Sequence, residues 1–281
     1  MKTIFKKKCL FLFFQCKYNH SMQNGLTYFH FDEINSTNSY LYDKMSVGED
    51  VADTVVSASY QTAGRGMDKN SWESAEGQNL LFSIALNVSY LEAKNQFKIS
   101  QAVAVAIVDT LQSIVNRPGL SVKWPNDIYF GDKKLCGMLI QNTVEGRMMG
   151  VSIIGIGLNV NQIEFSKRLP NPTSLKMITG DELNLQNLLE KLTANIKNAV
   201  ESLENQSCFE SLDKKYTDKL YRYRQWADYL YKNEVKSMII NGFDLFGRLL
   251  LTDKSGAEAV CDVKEIQFCL PSSPQDSEAD A

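Results

Sequence analysis

One apolar stripe constrains this chain more than any other feature: Ile99, Ala102, Val103, Ala106, Ile107, Thr110, Leu111 and Ile114 recur at helical spacing until Arg117-Pro118-Gly119 stops the run. Positions three and four apart share one face of a helix, so the stripe predicts a long helix with an apolar side to bury. Its partners lie on either side in the sequence. Residues 54–60 and 80–86 precede it, and 121–124, 128–130, 135–141 and 151–157 follow it, each reading as a strand of one sheet with turns such as Gly131-Asp132 and Glu145-Gly146 between them. A second stripe through Leu185, Leu188, Leu189, Leu192, Ile196, Ala199, Val200 and Leu203 is too short for the several heptads of a coiled coil and predicts another packing helix. A short helix starts near Ser36, with Asn35 or Ser36 as its N-cap and Tyr40, Leu41 and Met45 on one side.

From about Lys232 the pattern changes. Short runs at 235–240, 248–252 and 259–263, divided by Asn241-Gly242 and Ser255-Gly256, predict a small β-barrel. The fold class is therefore α+β: a mixed β-sheet with flanking helices, followed by a small C-terminal barrel. The expected organisation is an extension without predicted structure over 1–25, a main domain over 26–228, the barrel over 229–270 and a polar, acidic, disordered tail over 271–281.

A chain of 281 residues, 44% hydrophobic and 22% charged, holds one sizeable core and a smaller unit, and a formal charge of −3 gives no general drive toward nucleic acid. The Lys-rich start runs into the apolar segment 9–14, which is shorter than a typical h-region of about 7–15 residues with its cleavage site. It is also far short of the roughly 20 residues of a membrane span. Met22 makes 1–21 readable as an extended start. Six cysteines without a C-x-x-C pair read as reduced thiols of a cytoplasmic protein, and Cys9, Cys16 and His20 as incidental rather than a metal site. With two histidines in all, His20 and His30, catalysis by a Ser-His or Cys-His device is disfavoured and charge stabilisation is the expected route.

The chemistry concentrates in Lys123-Trp124-Pro125-Asn126-Asp127-Ile128 and the following Lys133-Lys134-Leu135-Cys136-Gly137. Pro125 fixes its own φ and holds Trp124 extended, so the flanking polar side chains have little freedom to scatter. Lysines suit phosphate oxygens, while a carboxylate and an amide oxygen suit a hard cation such as Mg2+.

Other blocks join it in order: Asn35-Ser36-Thr37-Asn38, Gln61-Thr62-Ala63-Gly64-Arg65-Gly66, Trp72-Glu73-Ser74, Gly77-Gln78-Asn79 with Leu80 to Ser83, and Gly155-Ile156-Gly157-Leu158-Asn159. Together these resemble the biotin protein ligase family, from about Phe29 to about Thr179 and more weakly to the end. The resemblance implies a catalytic domain like that of class II aminoacyl-tRNA synthetases with an SH3-like C-terminal domain. It implies ATP and biotin as substrates with Mg2+, activation of biotin as biotinyl-5′-AMP, and transfer to a lysine of a biotin carboxyl carrier protein. By the same resemblance Ser36, Thr37, Asn38, Gln61, Gly64, Arg65, Lys134, Gly137 and Gly157 surround biotin. Arg65, Trp72, Lys123, Asn126, Lys134 and Asn159 meet ATP or the adenylate, and Asn126 with Asp127 hold the metal. Arg65, Lys123, Lys134 and Asp127 form the catalytic set. Ser83 and Asn79 are weaker candidates.

Relatives of this family form homodimers through sheet edges, which makes a homodimer one expectation; neither DNA nor membrane is an expected partner. The 35 residues before Ser36 are too few for the winged helix-turn-helix that some family members carry. The chain departs from the family pattern at Met67-Asp68-Lys69, where relatives carry a polar or basic residue and a further glycine, and this puts closure of the Arg65 loop in question. Two alternatives stand beside the ligase reading: a lipoate or octanoate transferase of related fold, and a biotin-binding regulator without catalysis.

Overall fold

The computed structural model describes residues 19–67 and 70–270. Strand β1 (Asn19–Gln23) turns through Asn24 and Gly25, both at positive φ, into β2 (Leu26–Ile34). Ser36 then caps helix α1 (Thr37–Ser46), its hydroxyl accepting from the Ser39 N–H. Strands β3 (Thr54–Gln61) and β4 (Leu80–Asn87) lead to the long helix α2 (Phe97–Val115), which ends where Asn116 enters the left-handed region. Four strands follow in meander: β5 (Leu120–Lys123), β6 (Asp127–Phe130), β7 (Lys133–Glu145) and β8 (Met148–Leu158). Helices α3 (Leu175–Thr179), α4 (Leu185–Glu201) and α5 (Phe209–Asp218) complete the larger unit.

These eight strands form one mixed sheet in the order β1-β2-β3-β4-β8-β7-β6-β5. Only the β2–β3 pair is parallel, because α1 carries the chain back to the same edge between them. Alternation along the strands sorts side chains to two cores. Val55, Ile84 and Ile154 join the large core beneath α2 and α4, while their neighbours Val56, Ala85 and Ile153 join a small core under α1 with Phe31 and Leu41. The predicted α2 stripe is fully used: Ile99, Val103, Ile107 and Leu111 are each 0% exposed. Truncating such a residue to Ala removes roughly 2–5 kcal/mol.

Five antiparallel strands form the second sheet: β9 (Trp226–Tyr231), β10 (Glu234–Phe243), β11 (Leu249–Asp253), β12 (Glu258–Cys261) and β13 (Ile266–Phe268), ordered β12-β11-β10-β9-β13. This is the SH3-like unit, and it begins at Trp226, ahead of the expected 229. It is clasped to the larger sheet. Gly247, at φ +81, sits so close to Phe97 that a Cβ there would lie 2.4 Å from the ring, and its carbonyl accepts from Trp124 Nε1 at 2.8 Å.

The extension expected over 1–25 is shorter than that where it is described, since Asn19–Gln23 pair with β2 and add an edge strand. Strand β2 itself was not anticipated: His30, Asp32 and Glu33 break its alternation. Thr193 of α4 covers one face of it at Tyr28 (Oη to Oγ1, 2.7 Å), and Tyr40 of α1 meets the other at Phe31, the two rings tilted by 60°. The tail 271–281, the start 1–18 and the pair Asp68-Lys69, with the loop departure they carry, lie outside the described residues.

Candidate functional site

A cavity of about 1080 Å³ opens where the ends of β3, β7 and β8, the start of α1, the β5–β6 turn and the second sheet meet. It is lined by Ser36, Thr37, Asn38, Gln61, Arg65, Trp72, Lys123, Asn126, Asp127, Lys134, Gly137, Gly157 and Asn159. Blocks distant in sequence thus share one space, with a neutral polar end and a charged end.

The polar end is a hydrogen-bond chain. The Thr37 N–H donates to Gln61 Oε1 at 2.8 Å, the Thr37 hydroxyl reaches the same oxygen at 3.2 Å, and Ser83 Oγ lies 2.8 Å from Thr37 Oγ1. A hydroxyl has one hydrogen, so Ser83 donates to Thr37 while Thr37 donates to Gln61. Gln61 Oε1 is thereby turned inward, which leaves its Nε2 hydrogens for the cavity. Asn38 donates to the Leu139 carbonyl at 3.3 Å, and its Oδ1 is buried with no partner. A buried acceptor without a donor is costly, and beside a spare amide donor it marks a place for a ligand carrying both groups. Gly155 belongs to this end: a Cβ there would lie 2.8 Å from Asn38 Nδ2, so only glycine lets the amide approach.

At the charged end, Lys134 Nζ pairs with Asp127 Oδ1 at 2.8 Å, with 34% and 12% of the two side chains exposed. Lys123 faces Asp127 across the β5–β6 ladder. Burial pushes its pKa below the usual lysine value, with Asp127 opposing the shift and Lys134 and Arg222 adding to it. Arg65 is exposed and held only by a marginal 3.5 Å contact from Nη1 to Ser39 Oγ. Its hairpin is closed by the Gly66 N–H to the Asn70 carbonyl at 2.8 Å and the Trp72 N–H to the Gly64 carbonyl at 2.9 Å.

Trp72 separates the two ends. Its indole rests on the strand glycines: a Cβ on Gly157 would lie 2.4 Å from Cε2, and one on Gly137 2.9 Å from Cζ3. Lys134 Nζ stands 5.6 Å from the ring centroid, and the indole N–H is buried without an acceptor. The room that Gly137 and Gly157 provide is therefore taken by Trp72 in this state.

Not every expected residue stands as its pattern suggested. Gly64 does not line the main cavity but a separate cleft of about 480 Å³ behind the hairpin. Its lack of a side chain admits the Trp72 carbonyl, which would lie 2.5 Å from a Cβ. Asn126 spends its Nδ2 on the Met138 carbonyl at 2.8 Å, which fixes the turn and leaves only its Oδ1 for a ligand. Asn159 donates to the Thr173 carbonyl at 2.9 Å and keeps a buried, unpartnered Oδ1. Asn79 is structural, bonding Gln162, Ser74 and the Val160 N–H. Among the described residues no group of three or more His, Cys, Asp or Glu side chains could hold a metal. Asp127 with the Asn126 oxygen fits Mg2+ only as an ion carried mainly by phosphates. The wall supplied by the second sheet, including Ile266 and Phe268 of β13 and Lys264 of the turn before it, carries no signal in the sequence, because nothing in a three-residue strand marks a cavity.

Residues 30–159 match the model of the Biotin/lipoate A/B protein ligase family. The chain is 27% identical over 225 residues to the bifunctional ligase/repressor BirA of Escherichia coli (strain K12), a match covering 80% of this chain and 66% of that protein. It is 28% identical over 132 residues to the biotin--[acetyl-CoA-carboxylase] ligase of Mycobacterium tuberculosis, covering 46% and 48%. Matches to BirA proteins span 43 to 66% of those relatives' own lengths. Among solved structures, the biotin protein ligase from Aquifex aeolicus in complex with biotin and ATP superposes with a TM-score of 0.71 at 25% identity, covering 86% of this chain and 98% of that one.

Proposed function

We propose that the chain, whose residues 30–159 match the model of the Biotin/lipoate A/B protein ligase family, activates biotin with ATP and transfers it to a lysine of a biotin carboxyl carrier domain. The observation that carries the reading is the pairing, within one cavity, of an unmet amide acceptor and donor at Asn38 and Gln61 with the cations Arg65, Lys123 and Lys134. A cyclic urea offers N–H and C=O groups in matching positions, and a short aliphatic acid would run past Trp72 toward the cations.

In the first step a biotin carboxylate oxygen bonds to the α-phosphorus of ATP, the bond to the bridging oxygen breaks, and pyrophosphate leaves. An anion is attacking a polyanion, so the barrier is chiefly electrostatic. Lys134 lies between the two ligand sites and serves both carboxylate and phosphate; Lys123 serves the phosphate; Arg65 closes over them with its hairpin. Mg2+, held by the phosphates with Asp127 and Asn126, would neutralise further charge. Closure of the hairpin keeps water from the mixed anhydride. In the second step the acceptor amine attacks the acyl carbon and AMP leaves. Asp127, a carboxylate lining the cavity beside Lys134, helps remove a proton. A cytoplasmic location fits a substrate pool of ATP and carrier protein.

The test is incubation with Mg-ATP, a carrier domain and either biotin or lipoate, read by intact mass of the carrier and by pyrophosphate release. Biotin-dependent gain of mass is expected. Labelling by lipoate alone would favour the transferase alternative, and biotin binding without pyrophosphate the regulator alternative.

A further inference from the structure

Lys123 is held in an unusual way for a half-buried ammonium. Its nearest carboxylate, Asp127, is engaged by Lys134, and among the described residues Lys123 makes no ion pair. Its Nζ lies instead 5.0 Å from the Phe268 ring centroid and 5.2 Å from that of Tyr129. Tyr129 belongs to the neighbouring strand β6, but Phe268 comes from β13, at the far end of the second sheet. Its ring is fixed: it meets Tyr229 edge-on at 5.1 Å, and the next residue, Cys269, donates to the Asp228 carbonyl and accepts from Arg222 Nη1 at 2.9 Å.

Aromatic faces attract a cation without cancelling its charge as a carboxylate does. A lysine held against two rings is thus placed yet still available to an anion, and both Lys123 and Phe268 line the cavity. We propose that Phe268 is a positioning residue through which the second sheet sets Lys123 for the nucleotide phosphates. This rests on the ligase reading. The cost of burying Lys123, visible in its lowered pKa, agrees with a charge kept for binding rather than for folding.

The experiment uses the full chain and calorimetric titration with α,β-methylene-ATP, which resists cleavage at the reacting bond, and with biotin in parallel. Phe268→Leu keeps apolar bulk and removes the ring face. It is expected to weaken the nucleotide analogue by about 2- to 30-fold, the range of a cation–π contact, with biotin affinity unchanged; Phe268→Tyr restores it. In a Lys123→Met background the same Phe268→Leu change is expected to cost nothing further. An equal loss for both ligands, failure of Phe268→Tyr to rescue, or a full further loss without Lys123 would overturn the inference. Wild-type protein that binds neither ligand would bring down the ligase reading and this inference with it. Normal nucleotide binding by Phe268→Leu refutes this inference alone.

Discussion

Replacing Gly157 by alanine isolates the contact between Trp72 and the sheet. Gly157 sits near the end of β8, opposite Leu81 on one side and Gly137 on the other, and it has no positive φ, so alanine brings no backbone strain. The only new event is a collision: the methyl would lie 2.4, 2.7 and 2.8 Å from Cε2, Cδ2 and Cζ2 of Trp72. Carbon atoms rest at roughly 3.5–4.0 Å, so the indole must withdraw by about 1 Å. Were it immovable, overpacking would cost about 1–3 kcal/mol of stability. It is not immovable, because Trp72 is half-buried and ends a hairpin joined to β3 by a short segment. The cost therefore passes to the cavity: Trp72 and Arg65 move together, through the Trp72 N–H to Gly64 carbonyl bond at 2.9 Å.

If most of that 1–3 kcal/mol appears in binding, biotin affinity falls by about 5- to 150-fold, while Tm changes by less than about 4 °C for a chain of this size. Titration calorimetry and scanning calorimetry on the same preparations separate the two. A large drop in Tm with unaltered biotin affinity would refute the reasoning, as would a Gly157→Ala effect that persists undiminished when Trp72 is also changed to Leu.

Thr37→Val keeps shape but deprives Ser83 Oγ and Gln61 Oε1 of a hydroxyl partner. It is expected to weaken biotin by on the order of tenfold with nucleotide affinity intact, as equilibrium titration checks. Lys123 loses its proton at lower pH than an ordinary lysine. Since only the charged form attracts phosphate, nucleotide affinity should hold on the acid side of that depressed pKa and fall as pH rises through it. Affinity measured from about pH 7 to about pH 10 should therefore decline early, and Lys123→Arg, which stays charged, should flatten the decline. Gly247→Ala meets Phe97 at 2.4 Å with φ at +81, and roughly 1–2 kcal/mol of left-handed strain adds to ~1–3 kcal/mol of overpacking. A Tm decrease on the order of 10 °C is expected in calorimetry, and an unchanged Tm would show that the clasp between the sheets is slack.

The elements legible in the sequence were those that carry their own period. The α2 and α4 stripes face a core along their whole length, so burial leaves an uninterrupted signal. Strand β4 is nearly all apolar because α1 covers one face and α4 with the large core the other, and β3 shows its buried centre in Val55, Val56 and Ala58. Strand β2 escaped because its far end approaches solvent and takes His30, Asp32 and Glu33. The polar end of the cavity was readable because hydroxyls and amides cluster at Ser36 to Asn38 and at Gln61. Gly64 was not, since sequence alone cannot distinguish a glycine that frees a loop from one that admits a carbonyl. The same limit applies to Phe268: an aromatic in a short strand signals packing, and only the folded position of its ring, 5.0 Å from Lys123 Nζ, shows that one packing partner is a cation of the other sheet.

The three cations differ in what restrains them, and that difference orders the steps of binding. Lys134 has a carboxylate at 2.8 Å, Lys123 two aromatic rings at 5.0 and 5.2 Å, and Arg65 a single hydroxyl at 3.5 Å. Opposite charges 2.8 Å apart attract most strongly of these, although Asp127 Oδ1 accepts no hydrogen bond, and a stretched hydroxyl contact is the weakest. Lys134 and Lys123 are accordingly in place before a ligand arrives, on paired strands of the main sheet, while Arg65 gains most from an incoming anion and has least to give up. A site with all three fixed would be hard to enter past Trp72, and one with all three loose would surrender to ordering the attraction that drives the chemistry. Two cations fixed on the sheet and one on a hairpin let the ligand enter, and make closure of that hairpin depend on negative charge already bound.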